Sequence, residues 1–176
     1  MSRAYPVDCH RVSWASCNPN FEDIVYAVCR VALYVLTVAR SRAPTRVVLV
    51  GHSFGGGVAF SAALKLTEML KGTSATIAGV VGLSPQALGA SDAVASLVGV
   101  PKLFIHSVDD DVLEVGWTLW LHCMAQKPKE LKLFGTGGHN YEGQKDSLHA
   151  KLRQWVVSKA GLARGNSSPG PASSPR

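Results

Sequence analysis

The chain of 176 residues has the length of one domain, and its composition of 47% hydrophobic and 17% charged residues is typical of a globular protein, which excludes an intrinsically disordered chain. Its 18 basic and 12 acidic residues leave a net charge of +6, but the basic residues are scattered, so we expect no nucleic-acid partner. The most apolar stretch, 24–39, is short and contains Arg30, so no membrane span is predicted.

The first predicted elements are two helices with one strand between them. Apolar residues recur at steps of three and four between Ile24 and Val38, which predicts an amphipathic helix that ends before Pro44. The β-branched run 46–50 predicts a strand that is buried on both faces, as in a parallel sheet. A helix is then predicted over 55–71, because a glycine follows it and ends it.

The alternation of strand and helix continues along the chain. The further predicted elements are strands at 76–83, 101–107 and 130–134 and helices at 92–98, 113–125 and 147–159. This order predicts an α/β fold in three layers, with a mostly parallel sheet flanked by helices. Because residues 163–176 are rich in Pro, Gly and Ser, we predict a disordered tail there, after one domain of residues 1–162.

One short pattern, Gly-His-Ser-Phe-Gly at 51–55, is typical of a nucleophilic serine. It lies between a predicted strand and a predicted helix, which is the context of a nucleophile elbow. Ser53 would then project from the carboxyl end of the strand, and the N–H of Phe54 at the helix N-terminus would bind an oxyanion. A serine in a glycine-rich turn can also be a simple helix cap, so the pattern needs partners elsewhere.

A serine nucleophile needs a base and an acid, and candidates for both follow later strands. Three aspartates, 109–111, follow the strand 101–107, and His139 follows the last strand within a glycine-rich segment. Each group lies after the carboxyl end of a strand, the edge at which an open α/β sheet keeps its site. From spacing alone any of the three aspartates can be the acid, and the others can be solvated or cap the next helix.

These motifs, in this order, resemble the α/β-hydrolase fold superfamily over about residues 4–160. The resemblance implies that Ser53 is the nucleophile, His139 the base and Asp110 the acid, with Asp109 and Asp111 as alternatives. It also implies a serine esterase-like hydrolase that cleaves an ester, thioester or similar acyl bond of a small molecule. Neither a metal nor an organic cofactor is implied.

The other histidines and the cysteines are predicted to carry no chemistry. His52 is expected to point toward the sheet, and His106 to pack at the end of its strand. No motif surrounds His10, His122 or His149, and no Cys-x-x-Cys pair occurs among Cys9, Cys17, Cys29 and Cys123. Because the chain starts without a secretory signal pattern, we predict reduced thiols and a cytoplasmic location.

The resemblance fails at the front of the chain. The family's strand and glycine-containing turn that give the second oxyanion donor have no counterpart, so the chain is expected to begin about a third of the way into the fold. The edge of the strand 47–50 is then expected to be covered by a substitute such as residues 5–9, or to be open to self-association. A weakly active or inactive domain that acts as an interaction module is therefore the alternative function.

Overall fold

The computed structural model describes Arg11, residues 20–38 and residues 45–161, so the predicted tail 163–176 and the segment 5–9 lie outside the described residues. Helices and strands alternate along the described ranges. In chain order they are α1 (Phe21–Val38), β1 (Arg46–His52), α2 (Phe54–Met69), β2 (Thr76–Leu83), α3 (Ser91–Ser96), β3 (Lys102–Ser107), α4 (Val115–Met124), β4 (Lys129–Phe134) and α5 (Lys145–Lys159).

The strands form one parallel sheet in the order β1-β2-β3-β4. In its register His52 lies opposite Leu83, and Leu83 lies opposite Ile105, so the carboxyl ends of neighbouring strands meet at one edge. This arrangement confirms the prediction of an α/β fold with a parallel sheet. It also brings the segments that follow β1, β3 and β4 to the same edge, which is where the candidate residues lie.

Helices cover both faces of the sheet. α2, α3 and α4 pack on the face that carries Val80 and Phe104. α5 packs on the opposite face against Val81 and Ile105, where its Trp155 is buried. The three-layer order predicted from the sequence is therefore confirmed. None of the helices in the described ranges combines the length and the apolar composition that crossing a membrane requires.

α1 lies against α2 rather than alone on the sheet. Its buried residues Ile24, Val25 and Cys29 belong to one cluster with Val58, Ala62 and Leu66 of α2. At the start of α1, the ring of Phe21 packs edge-on against the ring of Phe54, with centroids 5.7 Å apart. The beginning of α1 therefore lies next to the turn between β1 and α2.

β1 differs from its prediction as a strand buried on both faces. It is the outer strand of the sheet over the described residues, and its Val50 is 50% exposed. The reason is that α5 packs over β2 and β3, so side chains of β1 on that face are only partly covered. Self-association through this edge stays a prediction, and so does the substitute strand at residues 5–9.

Candidate active site

The turn between β1 and α2 holds Ser53 in a strained conformation. Its φ is 56° and its ψ is −124°, a region that costs a non-glycine residue about 1–3 kcal/mol and persists only where the surroundings fix it. Hydrogen bonds supply that fixation: the Ser53 N–H donates to the Leu83 carbonyl at 2.8 Å, and the Gln86 N–H donates to the Ser53 carbonyl at 3.0 Å. Within the described part of the chain, the Ser53 hydroxyl makes no capping hydrogen bond to α2. The alternative that Ser53 is a side-chain cap is therefore wrong.

Gly51 of the motif and Gly56 directly after it provide space for this turn. A Cβ on Gly51 would lie 1.9 Å from the carbonyl oxygen of Gly55, which is far inside van der Waals contact. A Cβ on Gly56 would lie 2.8 Å from the Cβ of Pro85, in the segment after β2. A Cβ on Gly55 meets no atom within 4 Å. The two motif glycines are thus unequal, because only Gly51 is required for the strand and helix to approach each other.

We expect Gly51→Ala to destabilise the fold strongly, by more than about 3 kcal/mol, since the backbone of β1 or α2 must move to admit the Cβ. Gly55→Ala is the matched control, and it should leave stability unchanged or raise it by up to about 1 kcal/mol, because alanine is the better helix former. Urea unfolding of the two variants measures the difference. Equal unfolding midpoints for both would contradict the steric account.

Asp110 is the aspartate that contacts His139. The Nδ1–H of His139 donates to the Asp110 carboxylate, at 2.9 Å from Oδ2 and 3.1 Å from Oδ1. The other side of the carboxylate is fixed by backbone, because the N–H groups of Val112 and Leu113 donate to Oδ1 at 3.0 and 2.9 Å. The carboxylate is therefore oriented from both sides and its side chain is fully buried.

Asp110 stays ionised in spite of its burial. Burial alone would raise the pKa of this carboxyl, but hydrogen bonds from the Leu113 N–H, the His139 ring, the Ser84 hydroxyl and the Val112 N–H outweigh it and lower the pKa to about 2. At neutral pH the group is consequently a carboxylate that accepts hydrogen bonds. That is the state in which it can orient an imidazole and stabilise its protonated form.

Asp109 has different hydrogen-bond partners from Asp110, although the two are adjacent. Its carboxylate accepts hydrogen bonds from the N–H groups of Gly137 and Gly138, at 3.1 and 2.9 Å. Hydrogen bonds from Ser107 and from these glycines lower the pKa of Asp109. Asp109 thus ties the segment before His139 to the end of β3. The third aspartate, Asp111, is exposed.

His52 contacts the backbone and the ring of His139, which corrects the expectation that it points toward the sheet. Its Nε2–H donates to the His139 carbonyl at 2.9 Å, and the centroids of the two rings lie 4.6 Å apart. Burial lowers the pKa of His52, so the ring is neutral at pH 7. The residue directly before Ser53 therefore holds His139 beside the turn. Over the described residues, no hydrogen bond joins the Ser53 hydroxyl to His139 itself.

Sequence reasoning missed two buried residues beneath this site. The Ser84 hydroxyl lies 2.9 Å from the Tyr141 hydroxyl, which donates to the Ile105 carbonyl at 3.0 Å. Burial is the main cause that raises the pKa of Tyr141, to about 12. Both residues have positive φ, 41° for Ser84 and 56° for Tyr141. A positive φ at a residue other than glycine leaves no reliable signal in a sequence, and neither residue belongs to a motif.

His106 is buried as predicted, but it does more than pack, because its Nε2 lies 3.2 Å from Oδ2 of Asp110. The structure therefore brings Asp110, His139, His52 and His106 together at one edge of the sheet. Within the described ranges, no cluster of three or more His, Cys, Asp or Glu side chains could hold a metal ion.

Comparisons with known proteins identify a family by sequence and similar folds among solved structures. A family model described as "Alpha/beta hydrolase family" matches residues 2–172, whereas no curated protein matches significantly in sequence. Among solved structures, Est1E from Butyrivibrio proteoclasticus is similar with a TM-score of 0.61 and 15% identity, covering 78% of this chain and 71% of that chain. The esterase domain of a Rhodothermus marinus protein has a TM-score of 0.58 at 18% identity, covering 80% and 68%. Acyl-protein thioesterase 2 from Zea mays has a TM-score of 0.57 at 17% identity, covering 85% of this chain and 71% of that chain.

Proposed function

The chain belongs to the alpha/beta hydrolase family, and on this premise we propose that it is a serine hydrolase that cleaves an ester, thioester or similar acyl bond of a small molecule. The observation that carries the proposal is the hydrogen bond between Asp110 and His139 Nδ1, made beside a turn that holds Ser53 at φ 56°. Two of the similar structures, an esterase domain and an acyl-protein thioesterase, support the same class of bond.

In the proposed reaction Ser53 is the nucleophile and His139 the base. The His139 Nδ1–H is engaged by Asp110, which leaves Nε2 free of hydrogen in the neutral ring and able to accept the Ser53 proton. Serine Oγ then forms a bond to the acyl carbon, and the alcohol or thiol leaves with that proton. A water molecule, deprotonated in turn by His139, releases the acid and restores the serine hydroxyl.

The oxyanion is proposed to bind at the N-terminus of α2. Phe54 is the first residue of this helix, so its N–H has no acceptor within the helix. The partial positive charge of the helix end adds to this donor. Removing one oxyanion donor typically costs about 10²–10³ in kcat, which sets the scale of what Phe54 N–H would contribute.

Covalent labelling tests the proposal without a known substrate. A fluorophosphonate probe reacts with serine hydroxyls that a neighbouring base activates, so we expect the native protein to be labelled at Ser53, as located by mass spectrometry of the peptides. Heat-denatured protein is the control and should not react. No labelling of native protein, or labelling at another serine, would overturn the assignment.

A further inference from the structure

Both ring nitrogens of His106 are engaged, although the residue lies within β3 and is fully buried. Its Nδ1 lies 2.6 Å from Oγ1 of Thr118 on α4. Its Nε2 lies 2.9 Å from the Leu113 carbonyl oxygen and 3.2 Å from Oδ2 of Asp110. The ring therefore bridges α4 and the segment that carries the candidate acid.

The partners of the ring fix its tautomer. A carbonyl oxygen can only accept a hydrogen bond, so Nε2 of His106 carries a hydrogen and donates it to Leu113, while Oδ2 of Asp110 lies 3.2 Å from the same nitrogen. In the neutral ring Nδ1 is then an acceptor, and the Thr118 hydroxyl donates to it. His106 thus anchors Leu113 by a fixed N–H and places the positive edge of its ring beside Asp110.

We propose that His106 is a positioning residue of the hydrolase site: its Nε2–H, donated to the Leu113 carbonyl, holds the segment 110–113 in place, and the ring edge 3.2 Å from Oδ2 stabilises the negative charge of Asp110. This proposal rests on the proposed function of Asp110. Oδ2 is the nearer acceptor of the His139 Nδ1–H, at 2.9 Å, so one imidazole donates to this oxygen and a second, His106, lies against it. The more charge His106 neutralises, the less Asp110 favours protonation of His139.

The titratable groups that face this arrangement come from the ends of β1, β3 and β4, whereas His122 of α4 packs against the ring of Phe104. They are Asp109 beside Asp110, His139 and Tyr141 after β4, and His52 at the end of β1. Burial raises the pKa of Tyr141 to about 12 and lowers the pKa of His52, so both are uncharged at pH 7. The charge of Asp109 is taken up by two glycine N–H groups. Asp110 is therefore the anion on which His106 acts.

A pair of variants that match in shape isolates the N–H. His106→Gln keeps a donor at the Nε2 position, whereas His106→Met has the same unbranched length and no donor. Loss of the donor leaves more charge on Asp110, so the acidic limb of the kcat/KM–pH profile should move up by about 0.5–1 pH unit in the Met variant. The looser carboxylate should also lower kcat by about tenfold. The Gln variant should retain the wild-type limb and remain within about threefold in kcat.

If the acidic limb of the kcat/KM–pH profile lay at the same pH in the Gln and Met variants, the proposal would be overturned, since packing alone does not distinguish the two side chains. If the Met variant does not fold, Thr118→Val and Thr118→Ser decide instead, because only the serine keeps the donor to Nδ1. The valine variant should move the limb in the same direction as Met, by a smaller amount, and the serine variant should not. Identical profiles for the two Thr118 variants would overturn the proposal.

A titration that needs no turnover separates this proposal from the proposed function. The carboxyl carbon of Asp110 reports its pKa in ¹³C NMR, and that pKa, about 2 in the wild type, should rise in the Met variant and not in the Gln variant. Absence of esterase activity in the wild type would count against the hydrolase function. Indistinguishable Asp110 titrations would count against His106 alone.

Discussion

Replacing Ser53 with alanine is expected to abolish hydrolysis of 4-nitrophenyl acetate, with a loss in kcat on the order of 10⁴-fold or more. The hydroxyl is the attacking group, so neither His139 nor Asp110 can compensate for it. The fold should be unaffected, because the described part of the chain gives this hydroxyl no capping bond and alanine meets the same positive φ as serine. The measurement is steady-state kinetics together with a thermal melt of each protein.

Ser61→Ala is the matched control for this prediction. Ser61 lies about two helix turns further along α2, and its hydroxyl donates to the Gly89 carbonyl at 2.7 Å. Its loss should cost about 1 kcal/mol of stability and leave the turnover rate unchanged. Equal rates for the wild type and Ser53→Ala would contradict the nucleophile assignment.

The three adjacent aspartates should respond very unequally to replacement by asparagine. Asp110→Asn is expected to lower kcat by on the order of 10³–10⁴, because an amide hydrogen facing His139 Nδ1 forces the ring into the tautomer that cannot accept the serine proton. Asp109→Asn should cost about tenfold, since it weakens the hold on the two glycine amides that precede His139. Asp111→Asn, at the exposed position, should stay within about twofold.

The same series has a stability readout. Because the pKa of Asp110 is lowered to about 2, its charge stabilises the folded state fully above the ordinary aspartate pKa near 4, and this contribution is lost as the pH falls toward 2. Urea unfolding between pH 5 and pH 2 should therefore show a drop in the wild type that is smaller in Asp110→Asn. If the largest loss in kcat occurred in the Asp109 or the Asp111 variant, the assignment of Asp110 as the acid would be contradicted.

Hydrophobic periodicity was sufficient to predict the architecture. The bounds of the predicted strands and helices differ from the observed ones by at most three residues, because runs such as those in β2 and β3 are apolar on both faces and bounded by turn residues. The burial of β1 could not be predicted in the same way, since the sequence does not say how far α5 extends across the sheet. What covers a strand is decided by packing over long sequence separations, which a local pattern does not contain.

The residue types of the candidate site could be predicted from the sequence, but the directions in which their side chains point could not. Spacing could not separate Asp109 from Asp110, because the two differ only in where their carboxylates point. The sequence favours a structural role for His52 and His106, although each contacts a member of the proposed triad. Their contacts depend on partners from other elements, His139 after β4 and Thr118 on α4, so no sequence spacing could have shown them.

The division of tasks between Asp109 and Asp110 has an evolutionary consequence. Asp109 holds the segment before His139 in shape, whereas Asp110 is the residue proposed to stabilise the protonated ring of His139. An aspartate-to-asparagine change at position 110 alone would therefore remove nearly all of the proposed hydrolase activity. The loop, the sheet edge and the surface around it would persist. A descendant of this domain that keeps its shape and serves only as a binding platform is, on this geometry, a single substitution away.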